Sequence, residues 1–140
     1  MKDQGMEDQG KPGPPRSIQV AVPSLSPGGL DAPCSPHFGR SEGFTIVKIE
    51  EGEIREARVV PNPPHGHGGC LAPVRTVASE GVEAVIVRGI GFRPLLGFRQ
   101  AGIEVYLGPP GTVRDAVTAF AEGGLDPLPE DFVCGGGGGR

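Results

Sequence analysis

Short apolar runs separated by glycine- and proline-rich segments predict the order of secondary structure along this chain. The run at residues 18–22 predicts a first strand that ends at Pro23. The following residues, up to Glu42, show no periodicity, and structureless loops of this length are usually functional. Two β-rich runs at 44–49 and 54–60 are joined across Glu51-Gly52, which predicts an antiparallel hairpin.

The second half of the chain predicts helices and strands in alternation. In order, these are a helix from Cys70 to Gly81, an apolar strand at 82–87, a weaker helix at 92–101, a short strand at 103–107 and a helix that begins at Thr112. Thr112 and Asp115 have the spacing of a capping box, which marks the start of the last helix.

This order of elements is typical of an α/β domain. Right-handed crossovers would build a largely parallel sheet, and the hairpin would add an antiparallel strand. Ligands of such sheets bind beyond the carboxyl ends of the strands. The loops at 23–42, 89–91 and 108–111 follow strands of the expected parallel set, whereas 61–69 follows the hairpin. We therefore expect a crevice lined by these loops.

Glycine and proline are abundant, but their positions separate a folded domain from two flexible ends. The chain has 25 glycines and 16 prolines among 140 residues. We expect a disordered leader at 1–16, one domain at 17–124 and a flexible glycine-rich tail at 125–140. A domain of this length is large enough to bury a single core.

Charge and hydropathy argue against several classes of function. Acidic and basic residues are interspersed and the net charge is −4, which is unlike a nucleic-acid-binding surface. No apolar run has the length of a membrane helix, and the first residues lack an apolar signal segment, so we expect a cytoplasmic protein. Three scattered cysteines are too few for a disulfide scaffold.

The strongest chemical signal is the H-x-H-x-x-C run formed by His65, His67 and Cys70. Imidazole nitrogen and thiolate sulfur are ligands that suit zinc, copper and iron–sulfur species. The intervening glycines let closely spaced ligands turn inward. The alternative interpretation is a solvated loop beside a buried cysteine.

A second candidate lies in the long first loop, where His37 and Arg40 belong to the segment C-S-P-H-F-G-R. The arginine fork suits an anion, and the imidazole suits a metal. The alternative is a turn in which His37 caps the backbone and Phe38 fills the core. Cys34 is the residue of this segment for which we expect no chemical role.

Glycine-rich loops after two predicted strands form a third candidate. Gly89 and Gly91 in one loop, and the amides around Thr112 in the other, would let a ligand approach the backbone, and Arg93 would add positive charge. Ordinary tight turns are the alternative, since neither a P-loop nor a dinucleotide fingerprint occurs. Cys134, before the terminal glycine run, could reach back to the site.

Several segments together resemble the dinitrogenase iron–molybdenum cofactor biosynthesis family of NifX-, NifB- and NafY-type domains. The most specific are S-P-H-F-G-R at 35–40 and A-G-I-x-V-Y-x-G at 101–108. Further matches are Pro61-Asn62-Pro63, the histidine–glycine loop with Cys70, and the segments at 89–91 and 111–116. The resemblance covers about residues 18–124.

The resemblance implies a three-layer α/β/α fold of the ribonuclease-H-like type, with a five-stranded mixed sheet that has one antiparallel strand. It also implies a role without catalysis. Characterised relatives carry the iron–molybdenum cofactor, its iron–sulfur precursor or a molybdenum–copper–sulfide cluster. The radical-SAM module of some long relatives is missing here, so its activity is not implied.

Our first hypothesis is therefore a carrier for an iron–sulfur or iron–molybdenum-type cluster, working between donor and acceptor proteins as a monomer or weak dimer. The expected metal ligands are His37, His65, His67 and Cys70, and the expected contacts to anionic groups are Arg40, Gly89, Gly91, Arg93 and Thr112. One alternative is a metal-dependent nuclease or phosphotransferase, which would need several carboxylates at strand ends, where Asp31 is the one candidate. Another is a ligand-free protein-interaction module.

Overall fold

The computed structural model describes residues 17–39, 41–62 and 72–128. These residues form five strands and three helices. In chain order they are β1 (Ser17–Ser24), β2 (Gly43–Glu50), β3 (Glu53–Pro61), α1 (Ala72–Ala78), β4 (Ala84–Val87), α2 (Phe92–Gln100), β5 (Glu104–Leu107) and α3 (Val113–Ala121). The predicted start of the first helix at Cys70 lies outside the described residues.

The five strands form one mixed sheet in the order β3-β2-β1-β4-β5. β2 is antiparallel to both of its neighbours, whereas β1, β4 and β5 run parallel to one another. β3 therefore runs in the same direction as β1, and β2 alone is reversed. This confirms the α/β class and the mixed sheet with one antiparallel strand. The ribonuclease-H-like and three-layer assignments stay predictions.

The first strand does not end at Pro23, as predicted, but continues to Ser24. Asn62 donates its backbone N–H to the carbonyl of Glu42 (3.4 Å). Because hydrogen-bonded and non-hydrogen-bonded pairs alternate along an antiparallel ladder, the N–H and C=O groups of Phe44 point toward β3. The pair Pro23–Phe44 between β1 and β2 is then of the type that exchanges no hydrogen bonds. Proline is tolerated in this strand because its missing N–H points away from β2.

Alternating side chains of the central strands supply two hydrophobic clusters. Ala21 of β1 and Val85 of β4 belong to the cluster that contains the buried residues of α1 and α2. Val20 and Ile86, their neighbours in sequence, belong to the cluster that contains those of α3. Because successive side chains of a strand point to opposite faces, α1 and α2 cover one face of the sheet and α3 covers the other.

α3 begins with the predicted capping box. Thr112 is extended at the N-cap, and its hydroxyl accepts a hydrogen bond from the backbone N–H of Asp115 (3.2 Å). The Asp115 carboxylate in turn accepts one from the N–H of Thr112 (3.1 Å). The sequence signal for this helix start is therefore confirmed. None of the helices in the described ranges has the length and apolarity needed to cross a membrane.

Residues 125–128, which the sequence placed in the tail, lie along β5. Leu128 donates its N–H to the carbonyl of Val105 (2.9 Å), and Pro127 forms an antiparallel bridge with Tyr106. The Leu128 side chain is buried in the cluster of α1 and α2. These contacts attach the chain after α3 to the edge of the sheet. The domain boundaries themselves stay a prediction.

Gly108 is a position where the fold requires a missing side chain. A Cβ atom there would lie 2.6 Å from Cγ2 of Ile86, which is buried in the middle of β4. We expect Gly108→Ala to lower the free energy of unfolding by about 1–3 kcal/mol, as is usual when a well-packed core is overfilled. Urea denaturation followed by circular dichroism measures this change.

The matched control is Gly39→Ala, because a Cβ at Gly39 meets no atom within 4 Å. We expect its effect to stay within about 0.5 kcal/mol, the range of ordinary surface substitutions. Equal stability of Gly108→Ala and the natural protein would show that β4 and the loop after β5 are not tightly packed.

Candidate functional site

The candidate site is the edge of the sheet at which β1, β4 and β5 end. The loop after β1 is anchored there by Phe38, whose side chain is only 1% exposed. Its ring contacts those of Phe44 (5.3 Å between centroids) and Phe98 (5.1 Å). Its N–H donates to the carbonyl of Gly89 after β4 (3.1 Å). Phe38 therefore holds two of the predicted site loops together.

His37 lies on the opposite, solvent side of this anchor. Its backbone is held by Ser35, whose hydroxyl donates to the His37 carbonyl (3.0 Å) and accepts from the His37 N–H (3.3 Å). The imidazole is exposed. An exposed ring on a backbone fixed at two points is accessible to a ligand without prior rearrangement of the loop. Arg40, the other predicted residue of this loop, lies outside the described residues.

Asn62 links the end of β3 to the same loop. Its side-chain amide donates to the carbonyls of Gly39 (3.3 Å) and Ser41 (2.8 Å). Its Oδ1 atom is buried, and no described residue donates to it. Asn62 therefore holds the end of β3 against the loop that carries His37, and the predicted ligands His65, His67 and Cys70 follow it in sequence. The three ligands themselves lie outside the described ranges.

The loop after β5 joins the site through backbone bonds. Cys34 donates its N–H to the carbonyl of Gly111 (2.9 Å), and Val113 donates to that of Ala32 (2.9 Å). Thr112 is involved in these contacts through a bridge with Pro33, and the capping box uses both its N–H and its hydroxyl oxygen. The structure therefore gives Thr112 a capping role, while its role as a cofactor contact stays a prediction.

The start of α2 gives the edge a positive character. Gly91 is the N-cap of α2 and provides no side chain to cap the free N–H groups of the first turn. Arg88 and Arg93 flank this turn; both are exposed, and neither forms an ion pair with a described residue. Two guanidinium groups and the positive end of the helix dipole favour an anion in this region.

Cys34 is buried, and its expected lack of a chemical role stays a prediction. Its side chain is 8% exposed and belongs to the cluster under α3. Burial raises the pKa of the Cys34 thiol; nearby Arg88 lowers that pKa and Asp115 raises it further, so the net shift is upward. The raised pKa disfavours the thiolate, the form that acts as a nucleophile or metal ligand, and burial restricts access to the sulfur.

The described residues thus bring together only part of the predicted site. His37, Gly89 and Gly91 lie in loops that meet at one edge of the sheet, and Arg93 lies in the first turn of α2, which follows directly. Within 17–39, 41–62 and 72–128, no three His, Cys, Asp or Glu side chains form a group that could hold a metal ion. A site with three such ligands would therefore need side chains from outside the described ranges. The sequence analysis missed the role of Asn62, although Pro61-Asn62-Pro63 was among the matching segments.

Comparison with known proteins identifies related chains of similar length. The family model described as "Dinitrogenase iron-molybdenum cofactor" matches residues 18–123. The protein MJ0580 of Methanocaldococcus jannaschii is 38% identical over 94 residues, which cover 66% of this chain and 80% of that protein.

Solved structures with the same architecture include two with informative names. A NifB-like protein from Thermotoga, TM1290, is 34% identical with a TM-score of 0.67, over 85% of this chain and 99% of its own. The apo form of the orange protein from Desulfovibrio gigas is 28% identical with a TM-score of 0.70, over 79% of this chain and 92% of its own.

The tether formed by Asn62 is testable by an isosteric change. Asn62→Asp replaces the amide that donates to Gly39 and Ser41 with a carboxylate that faces two carbonyl oxygens. We expect it to lower the free energy of unfolding by about 2 kcal/mol or more, because two hydrogen bonds are lost and a charge is left without donors. Urea denaturation at neutral pH measures the loss.

Asn62→Ala is the control, because it removes the same bonds without adding a charge. It should destabilise the protein less than Asn62→Asp does. If neither variant changes the midpoint, the amide of Asn62 does not hold the loop.

The raised pKa of Cys34 predicts a dependence of stability on pH. A thiol whose pKa is higher in the folded than in the unfolded state stabilises the fold at pH values below its ordinary value near 9.0, and this contribution is lost as the pH rises through the folded-state pKa. Between about pH 7 and about pH 10, the natural protein should therefore lose more stability than Cys34→Ala.

Urea denaturation at both pH values gives the two losses. Val113→Ala serves as control, since it also shortens a buried side chain of the same cluster but removes no titrating group. Its loss with pH should equal that of the natural protein. An equal loss in Cys34→Ala would mean that the thiol titrates as it does in the unfolded chain.

Proposed function

The chain belongs to the dinitrogenase iron-molybdenum cofactor family, and on this basis we propose that it binds and carries an iron–sulfur or iron–molybdenum-type cluster without catalysing a reaction on it. The matched region spans residues 18–123 and so includes every strand and helix described above apart from Ser17, the first residue of β1. The names of the NifB-like and orange-protein neighbours fit a role in cofactor biosynthesis or cluster binding. The cluster is cargo in this proposal.

The tether at Asn62 is the observation that most supports this proposal. Its two hydrogen bonds hold Asn62, the residue directly after β3, next to the loop that carries His37, and the proposed ligand run follows Asn62 in sequence. We propose His37, His65, His67 and Cys70 as the metal ligands, because imidazole and thiolate are the donors that iron–sulfur and related clusters accept. Few ligands of mixed type would hold the cluster loosely enough for transfer to an acceptor.

The positive start of α2 supports a cargo with anionic groups. Sulfide and oxyanion atoms at the surface of a cluster would be held by Arg40, Arg88 and Arg93 and by the amides of Gly89 and Gly91. This local positive charge occurs in a chain whose net charge is −4, so it is not a reflection of overall composition. We further propose a ribonuclease-H-like fold, a cytoplasmic site of action, and donor and acceptor proteins as partners.

The carboxylates of this edge argue against the nuclease alternative. A metal-dependent nuclease holds its metal ions with several carboxylates whose oxygens are available. In the described ranges Asp31 pairs with Arg114 (3.1 Å), Asp115 belongs to the capping box, and Glu42 accepts from the N–H of Ser26. Each has a partner in the chain, and no three described His, Cys, Asp or Glu side chains form a group that could hold a metal ion.

Anaerobic reconstitution tests the proposal. The purified full chain is incubated with iron and sulfide, with and without molybdate, and bound metal, sulfide and charge-transfer absorbance are measured. We expect a defined metal stoichiometry in the natural protein. Joint replacement of His65, His67 and Cys70 by alanine should abolish it, because three of the four proposed ligands are lost.

The arginines are tested with a matched pair of variants. Replacing Arg88 and Arg93 together by glutamine should weaken binding by about tenfold or more, since two charged hydrogen bonds are lost. The same replacement at Arg55 and Arg75, two exposed arginines of β3 and α1, should leave affinity unchanged. A natural protein that binds no cluster, or a triple alanine variant that binds as well as the natural protein, would overturn the carrier proposal.

A further inference from the structure

The two edges of the sheet are treated differently by this chain. The edge strand β5 is covered by residues 126–128, which bond to Val105 and Leu107 and bridge to Tyr106. The edge strand β3 is nine residues long, and no described segment pairs with its outer side. Its central residues Glu56, Ala57, Arg58 and Val59 are all exposed. An edge of this kind is a template for a further strand.

The ladder geometry shows which groups of β3 face outward. The hydrogen bond from the Asn62 N–H to Glu42 shows that the backbone groups of the even-numbered residues in the regular part of β3 point toward β2. The N–H and C=O groups of Ala57 and Val59 therefore point away from the sheet. Val59 also exposes 47% of its surface, which is unusual for a β-branched residue in a strand.

The charges of β3 select one self-pairing register. Two copies related by a two-fold axis pair antiparallel about one central residue, because opposite side chains must share a face. An axis at Arg55, Glu56 or Arg58 places two identical charges opposite each other. An axis at Val59 places Pro61, which has no N–H to donate, opposite Ala57. An axis at Ala57 instead places Glu56 opposite Arg58 of the second copy, twice.

We propose that β3 pairs with β3 of a second copy of this chain, antiparallel and centred on Ala57. In the single chain the Arg58 guanidinium turns inward and donates to Gln19 (2.9 Å) and Glu80 (2.9 Å), so pairing with Glu56 of the second copy exchanges these contacts for a new ion pair. Glu56 forms no ion pair with a described residue. The outward N–H and C=O groups of Ala57 bond to those of Ala57 in the second copy, and the outward groups of Val59 also bond to the strand of the second copy.

The proposed dimer is weak because its interface is small. The register between β2 and β3 shifts between Lys48 and Ile49, so the regular ladder of β3 begins only after Arg55. The paired stretch is then short, and it buries much less than the roughly 1,600 Å² of a standard stable interface. Association therefore depends on protein concentration and, through the two ion pairs, on salt. This proposal does not rest on the proposed function.

Sedimentation equilibrium of the full chain, from micromolar to millimolar concentration, tests the proposal. The natural protein should shift from monomer toward dimer. Glu56→Arg should stay monomeric, because the new arginine of each copy would lie opposite Arg58 of the other copy. Glu83→Arg makes the same charge change at an exposed residue before β4 and should dimerise like the natural protein. Circular dichroism establishes that each variant is folded.

Cross-linking tests the register. Ala57→Cys should form a disulfide between the two copies at residue 57, identified by mass spectrometry of the linked peptides, since Cα atoms of directly paired residues lie about 5.5 Å apart. Val59→Cys should not link to itself. A monomer at all concentrations, equal association of Glu56→Arg and Glu83→Arg, or a link at 59 instead of 57 would overturn the proposal.

Discussion

The arrangement of the candidate site depends on the burial of Phe38. This ring sits in the middle of a loop that has no regular structure, yet it packs against Phe44 of β2 and Phe98 of α2. Its own N–H reaches Gly89 after β4. A single residue, Phe38, therefore connects the loop to β2, to α2 and to the loop after β4. Without it, His37 would belong to a mobile surface segment and could not be part of a site of fixed geometry.

Much of the fold follows from local sequence signals. The hairpin at Glu51-Gly52 and the capping box of Thr112 and Asp115 are set by residues close together in sequence, and both were predicted correctly. The end of the first strand at Pro23 was predicted wrongly. Whether a proline interrupts a strand depends on which neighbour its nitrogen faces, and that is decided by the pairing of β2 with β3, far along the chain.

The candidate site was also predictable in part, because some of its positions follow from the topology of the sheet. The loops that follow parallel strands meet at one edge by topology alone, so His37, Gly89 and Gly91 could be grouped from the sequence. The tether at Asn62 could not, because its partners Gly39 and Ser41 are more than twenty residues away and are backbone carbonyls, which every residue has. In the segment C-S-P-H-F-G-R, burial separates Cys34 and the anchoring Phe38 from the accessible His37.

The reversal of β2 has a consequence for how this domain can vary. The chain leaves the candidate site along β2, turns at Glu51-Gly52 and returns along β3, so its departure and its return lie at the same edge. Adding equal numbers of residues to both strands lengthens the hairpin but does not change where β3 ends. The hairpin is therefore a part of the domain whose length can drift during evolution while the neighbourhood of Asn62 and His37 stays the same.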